Sequence, residues 1–541
     1  MLTPAGHARE YKIPLPGSGL ARYSRDNPGG WAPLIGSWEI YPGSRNAIVK
    51  DRFEVHDAPV GVRIAIEEAD KSDPLLVAET DWERDGSINP VHAWQAAGQN
   101  HMLYNSVGGL CYARSQDGYA WVRPDLGLIE HNGSTKNNLV TDIAGDCFKC
   151  VFEDPLAPPE ERFKGMGSEL AWYDPDTGQL LGLDEDRIRG LAPEAERRWT
   201  AANIEGTDYE GPPIALRGWV IGWASPDRIH WKRVEGRVAD FTMDGGLAAG
   251  YDPHTKSYFG YVRVHHERPT EPVGIGTGAP EVGIERRAIG FTRAKDFRSW
   301  SPPRLVLYPD AQDATDISFY GSSYFPYPGR SDLHCQLVHV YHQITDRMDS
   351  QLAVSREGLF WTRPERRAII PVGQTGSADD SMVYSWGGGM IELPDGYWGH
   401  LYGGTSRLHN APKGTNWKGG PEMPSEIRWA RWKSHRLCGV EAEAEGRFTI
   451  PRTDRAKDEL RLNFRCEPGG WVKVELITAT DPPLDQKSVI PGFSFDECDV
   501  LRGNSVDHAV TWQGKSDLST AGDAMAIRIE MFQAKVFAYL L

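Results

Sequence analysis

Acidic residues recur in this chain beside strand-like runs. Glu83 and Asp85 lie in DWERDGSINP, Asp154 in VFEDP, Asp244 in FTMDGGLAAGYDP, Asp316 in DATDISFYGSSYFP, and Asp379 and Asp380 in SADDSMVYSW. Each acid is read as preceding small residues and then a strand. Carboxylates gathered around one pocket do recognisable chemistry. Like charges held close push one pKa upward, which supplies a protonated acid beside an ionised partner. Cleaving a glycosidic bond needs such a pair across a sugar ring. The competing reading is that Asp before Gly, Ser or Pro is a turn residue. For any single acid both readings stand, and the recurrence is what favours the chemical one.

Other polar and aromatic residues could complete a pocket. Arg263 follows Tyr261-Val262 in an apolar strand, where an unpaired guanidinium would be costly, so a carboxylate partner is expected. His342 could donate to a hydroxyl, and His409 follows a Gly-rich run. Asp380 could orient a ligand. Tyr320, Tyr384 and Trp386 could offer flat faces for stacking. Each of these residues also has a plain packing role open to it.

The elements that must position these groups show in a repeat. Ser or Thr, a carboxylate, a turn and then Trp recur at Ser115–Trp121, Ser225–Trp231, Thr292–Trp300 and Ser355–Trp361, each after a strand-like run. A fifth copy, Ser425–Trp432, keeps the strand and lacks the turn. This is a hairpin with a capped turn and a returning Trp. A unit repeated four to five times among short alternating strands predicts an all-β fold: a five-bladed β-propeller. Glu160–Pro213 and His265–Arg287 read as loop insertions. From Cys438 the hairpin stops and clean period-2 strands follow, predicting a C-terminal β-sandwich over 438–541 after a propeller over 76–437, with 1–75 as an extension and lead-in strands.

Bulk composition narrows the partners. Asp and Glu number 75 against 59 Lys and Arg, a net charge of -16, and no long basic block exists, which argues against nucleic acid. No run of 18 apolar residues exists, so no membrane span is expected. The start lacks a secretory pattern and the seven Cys are scattered, Cys147 and Cys150 forming an isolated C-x-x-C; buried free thiols and a cytoplasmic location are the expectation. No cofactor or metal site is called for, although clustered carboxylates leave room for a structural Ca²⁺. The sandwich leaves homo-oligomerisation open.

The stretches GLCYARSQDGYAWVRPDLGLIEHNGSTKNNLV, FEDPLAPPEERFKGM, RRAIGFTRAKDFRSWSPPRLVL, DISFYGSSYFPY, LAVSREGLFWTRP and PGFSFDECDVLRGNSVDHAVTWQGKSDLS carry a resemblance. The chain resembles bacterial proteins similar to glycoside hydrolase family 32, within the five-bladed propeller glycosidases of the family 32/43 type. The resemblance implies a propeller followed by a sandwich and a carbohydrate substrate. It implies Asp85 or Glu83 as nucleophile or base. Asp154, in a Glu-Asp-Pro that stands for the family's Arg-Asp-Pro, would stabilise a charged sugar. Asp244 is the nearest substitute for the family's acid; in the hydrolysis reading itself, Asp244 or Asp316 would be the acid, protonated because of its acidic neighbours. The sequence departs from the family where Asn-Asp-Pro is reduced to Asn89-Pro90 and where Glu497-Cys498 falls in the tail. Hydrolysis of a glycosidic bond, with furanosides among the candidate substrates, is thus the leading expectation. A non-catalytic sugar-binding propeller is a second. A lyase using Arg263 and His342 is a third.

Overall fold

The computed structural model describes residues 30–45, 55–84, 88–142, 148–173, 215–239, 241, 246–266, 286–412, 414–416, 418–478 and 489–541. Among these, regular structure is almost all strand, with single-turn 3-10 segments at Ser37–Glu39 and Pro159–Glu161. The all-β class expected from the sequence is what the chain adopts.

The strands between Asn89 and Lys433 pair into five up-and-down units. The first runs Asn89–Ala96, Gln99–Ser106, Gly109–Ser115 and Trp121–Val122, and the second Phe148–Glu153, Phe163–Tyr173, Ala215–Ser225 and Lys232–Arg233. The third runs Leu247–Asp252, Ser257–His266, Arg286–Ala294 and Arg304–Leu307. The fourth comprises Ile317–Pro326, His334–His342 and Arg347–Ser355, with a bridge from Val354 to Thr362. The fifth comprises Met382–Tyr384, Tyr397–Thr405 and Glu426–Lys433. Its outermost position is filled from far upstream: Asp70–Lys71 and Leu76–Val77 pair antiparallel with Glu426–Lys433. The inner strands of units one to four pack in order, Met348 bridges to Met382 in the fifth, and Tyr397–Thr405 packs back on the first.

Burial on both faces explains strands with little alternation. In His334–His342, Cys335 and Leu337 join a core with Trp398 and Tyr402, while Val338 and Val340 join one with Phe259 and Ile289. A strand covered on both sides reads as a near-continuous apolar run.

The repeated motif has one structural meaning in four copies. Asp117 Oδ1 accepts from the backbone N–H of Tyr119 and Ala120, Asp227 Oδ1 from Ile229 and His230, Asp296 Oδ1 from Arg298, and Glu357 Oε1 from Phe360. The returning indole then donates to a turn carbonyl three residues back: Trp121 to Gly118 at 2.9 Å, Trp231 to Arg228 at 2.8 Å, Trp300 to Phe297 at 2.9 Å and Trp361 to Gly358 at 3.1 Å. Gly118 and Gly358 sit at φ 81° and 76°, and Arg228 occupies the same left-handed position at 70°.

Glu160–Pro213 is less of an insertion than its composition suggests. Phe163–Tyr173 is a full strand, paired on both edges with Phe148–Glu153 and Ala215–Ser225. Residues 174–214 and 267–285, which hold most of both expected insertions, lie outside the described residues, as does Cys147 of the C-x-x-C.

The tail strands Cys438–Asp454, Arg461–Thr478 and Ala524–Leu540 are long and change register at bulges, which lets them bend around a separate apolar core that includes Phe448, Phe464, Trp512 and Ile527. Arg63–Ile66 adds to this sheet beside Cys438–Glu441, and Ala32–Pro33 pairs with Ala538–Tyr539. Glu67 ties the two regions together, meeting both Lys535 (3.1 Å) and Arg465. Burial alone would raise its carboxyl pKa, but the Lys535 and Arg465 cations more than offset that and hold it below the usual range.

Candidate functional site

The inner strands of the third, fourth and fifth units begin at Leu247, Ile317 and Met382, and aromatic and cationic side chains collect around these leading ends. The first cause is a register shift between Phe319 and Gly321, a bulge that leaves Tyr320 unpaired and re-aims its side chain. The Arg263 guanidinium lies 4.3 Å from the Tyr320 ring centroid and donates to the Tyr320 carbonyl at 3.2 Å, and the Arg263 backbone N–H bonds to Gly246. Arg287 lies 5.4 Å from the same ring and 5.6 Å from that of Tyr341. His409 stands 5.0 Å from Tyr320 and 4.8 Å from Tyr341.

A polar backing fixes this cluster. Tyr341 donates to Asp346 at 2.6 Å, and Asp346 also accepts from the backbone and side-chain N–H groups of Asn410. Burial and the Asp346 carboxylate together push the Tyr341 phenol above its ordinary range. Burial, aided by the Arg287 charge, pushes the His409 imidazole down, favouring its neutral form. Tyr384 donates to the Met382 sulfur at 3.2 Å, and Tyr320 and Tyr384 both pack on Tyr341, Met348 and Met382. The structure thus brings together Arg263, Tyr320, Tyr384 and His409. Tyr341, Arg287 and Asp346 belong with them and were not singled out in the sequence. Tyr341 sat unmarked beside His342, and Arg287 figured only as the end of an expected loop insertion.

The carboxylates are less uniform than their recurrence suggests. Asp316, half-buried, does lie at a leading end, and its Oδ2 accepts from the Ile344 N–H at 3.3 Å. Asp380, 2% exposed and before Met382, accepts from Gly376 N–H and the Ser381 hydroxyl. Glu83 is fully enclosed. It accepts from Tyr104 at 2.7 Å, from two Arg123 nitrogens at 2.9 and 3.1 Å, and from the N–H groups of Glu79 and Thr80. Burial would raise its pKa, but Arg123 and Tyr104 bring it below the usual range. Asp85 and Asp244 lie outside the described residues.

Asp154 requires a correction. It follows the inner strand Phe148–Glu153 instead of preceding it, so it stands at the opposite end of its strand from Asp316 and Asp380. Its carboxylate closes the turn, accepting from the Leu156 N–H at 3.0 Å and from the Tyr258 hydroxyl at 2.9 Å. The acids are therefore not at matched positions in every unit.

His342 is also apart from the aromatic cluster. It follows Tyr341 directly on a strand, so the two side chains point to opposite faces of the sheet. His342 Nε2 meets Asp349 Oδ2 at 2.8 Å, and that hydrogen bond, against opposing burial, raises its pKa.

Trp386 sits at the waist between the units. A Cβ added at Gly246 or Gly321 would come within 2.9 and 2.7 Å of its ring, so these glycines are what let the indole enter. The His339 ring meets it edge-on at 4.2 Å. Beyond it, toward the trailing ends of the inner strands, lies a cavity of about 450 Å³. Among the described residues, no group of three His, Cys, Asp or Glu side chains is placed to hold a metal ion. No helix among them is long and apolar enough to cross a membrane.

No protein-family model and no curated protein matches the chain. Solved structures similar to it include one described as a glycoside hydrolase, 12% identical with TM-score 0.40, covering 68% of this chain and 92% of that one. A thermostable family-43 glycoside hydrolase is 12% identical with TM-score 0.38, covering 66% and 92%. A Bombyx mori GH32 beta-fructofuranosidase is 10% identical with TM-score 0.34, covering 85% and 94%.

Proposed function

We propose that the five units form one five-bladed propeller which binds a carbohydrate at the leading ends of its inner strands and hydrolyses a glycosidic bond there. The observation that supports this most is the Tyr320 cluster. Half-buried aromatic rings backed by Arg263, Arg287 and His409 offer both a stacking surface and donors for hydroxyl groups. Asp316 is the described carboxylate best placed beside these leading ends to take one of the two catalytic roles. Its partner in this reading is Asp85 or Asp244, since Glu83 and Asp154 already serve their own surroundings.

A second reading is favoured by one feature. Two guanidinium groups share the Tyr320 ring, which suits an acidic sugar and hence a uronate lyase. The test is incubation with oligosaccharides and aryl glycosides, furanosides and uronates included, followed by mass and anomeric NMR. A released sugar, abolished by Asp316→Asn, upholds hydrolysis. An unsaturated product absorbing in the ultraviolet replaces it with the lyase. Binding without any product reduces the protein to a sugar-binding module.

A further inference from the structure

The cavity beyond Trp386 has features that the Tyr320 cluster does not explain. Its volume of about 450 Å³ falls within the roughly 300–1,000 Å³ typical of small-molecule sites. Much of its wall is carbon, from Tyr251, Phe259, Phe325 and Trp386. Exposed Pro253 and His254 stand at its rim, so it reaches the surface.

Set into this wall are polar atoms with nothing to bond. The Ser323 hydroxyl and His334 Nε2 belong to residues only 2% and 3% exposed, and neither has a hydrogen-bond partner. Both ring nitrogens of His92 are likewise shielded and unpaired. A buried polar group without a partner costs about 1–3 kcal/mol, so several lining one cavity point to a molecule that satisfies them.

The orphan groups are also uncharged. Burial lowers the His92 pKa to about 3, helped by the Arg228 charge, and that of His334 to about 4, so each presents a neutral imidazole with one donor and one acceptor nitrogen. His334 already uses Nδ1 with the Tyr324 hydroxyl at 2.9 Å, which leaves Nε2 for a ligand. Of the charged groups that also line the cavity, Lys149 has a partner of its own, Glu153 is paired with Arg162 at 2.6 Å, and Asp252 accepts from the His254 backbone N–H at 3.0 Å and from the Thr255 hydroxyl. A charged ligand would be desolvated here against groups that cannot neutralise it. A hydroxyl can both donate and accept, so it matches a neutral imidazole or a serine in either role.

We propose that this cavity is a second ligand site, taking a neutral, ring-shaped polyhydroxy molecule of about monosaccharide size on the far side of Trp386 from Tyr320. It is independent of the site at the leading ends. Trp386 lies between them, over Gly246 and Gly321.

The experiment follows the imidazole nitrogens of the whole chain by long-range proton–nitrogen NMR during separate titrations with D-glucose, L-arabinose and myo-inositol. His92→Gln and His334→Gln assign the signals. The expected result is that at least one probe shifts both signals saturably. Ala249→Phe, which fills the cavity from its wall, removes that response, while Tyr320→Ala leaves it unchanged. If Ala249→Phe does not fold, Ser323→Val serves instead and raises the titration midpoint roughly tenfold, the loss of one buried hydrogen bond. No shift with any probe means that the cavity holds water only and overturns the proposal. So does a response that persists unchanged in folded Ala249→Phe, or a Ser323→Val midpoint equal to wild type.

Discussion

The indole N–H groups of Trp121 and Trp429 converge on one acceptor, the carbonyl of Gly118, at 2.9 and 2.7 Å. Gly118 lies in the turn of the first unit, Trp121 opens the strand that follows it and Trp429 belongs to the third strand of the fifth, so this carbonyl joins the first unit to the last. Nearby, Tyr119 donates to Asp395 at 2.7 Å, and Arg431 reaches the Tyr119 hydroxyl at 3.2 Å. Replacing Trp429 by Phe removes one of the two donors from a fully buried position and should cost about 1–3 kcal/mol. Denaturant unfolding measures it, and a cycle with Trp121→Phe should show coupling of about 0.5 kcal/mol or more, because the two indoles share an acceptor.

The backbone position held by Arg228 makes a second, ordered prediction. Its left-handed conformation is strained for a residue with a Cβ. Its guanidinium is held 3.7 Å from the Phe163 ring and 4.9 Å from that of Trp94. Arg228→Ala keeps the strain and loses both ring contacts, and should destabilise by about 1–2 kcal/mol. Arg228→Gly loses the contacts but relieves the strain, so its melting temperature should fall between alanine and wild type. Glycine below alanine would contradict this account.

Asp154 and Asp316 should behave in opposite ways. Asp154→Ala unpairs the Tyr258 hydroxyl and opens a turn, and should cost about 1.5–3 kcal/mol of stability while leaving turnover at the wild-type level. Asp316→Asn should leave melting nearly unchanged and lower turnover by about 100-fold or more. Melting curves beside rate assays on the same preparations separate the two.

These two acids also show what was legible in the sequence. The repeat and the all-β class could be read because hairpin turns and period-2 strands are local. The end of a strand at which an acid sits is not local. VFEDP looks like the other acidic segments until Phe163–Tyr173 pairs with both its neighbours and makes Asp154 part of a turn. The Tyr320 cluster was legible in part. Tyr341 and Arg287 could not be placed because the bulge at Tyr320 that gathers them depends on pairing between strands.

Tyr320 carries the prediction for binding. Tyr320→Ala removes the ring on which Arg263 and Arg287 rest and should weaken saccharide binding at the leading ends roughly tenfold, about 1.4 kcal/mol. Calorimetric titration with whichever saccharide the product assay identifies gives the number.

His342 sets a pH dependence. Its pKa in the folded chain is raised by the hydrogen bond to Asp349, so the pair contributes stability that is fully present below the unfolded value, about 6.5. That contribution is lost as pH rises through the higher folded value. The melting temperature of wild type should therefore exceed that of His342→Gln by more at pH 5.5 than at pH 9. A gap that widens with pH would reverse the assignment.

The pairing of Asp70–Val77 with Glu426–Lys433 has a consequence for biosynthesis. The Trp429 backbone N–H donates to the Ser72 hydroxyl, and the Trp429 carbonyl accepts from the Ser72 backbone N–H, across a separation of 357 residues. A ribosome adding roughly 5–20 residues per second needs between about 20 and 70 seconds to supply the second partner after the first has emerged. During that interval the early segment waits without its strand. Any product that terminates before Glu426 leaves it unmatched, so the interval defines the window in which a molecular chaperone could cover it.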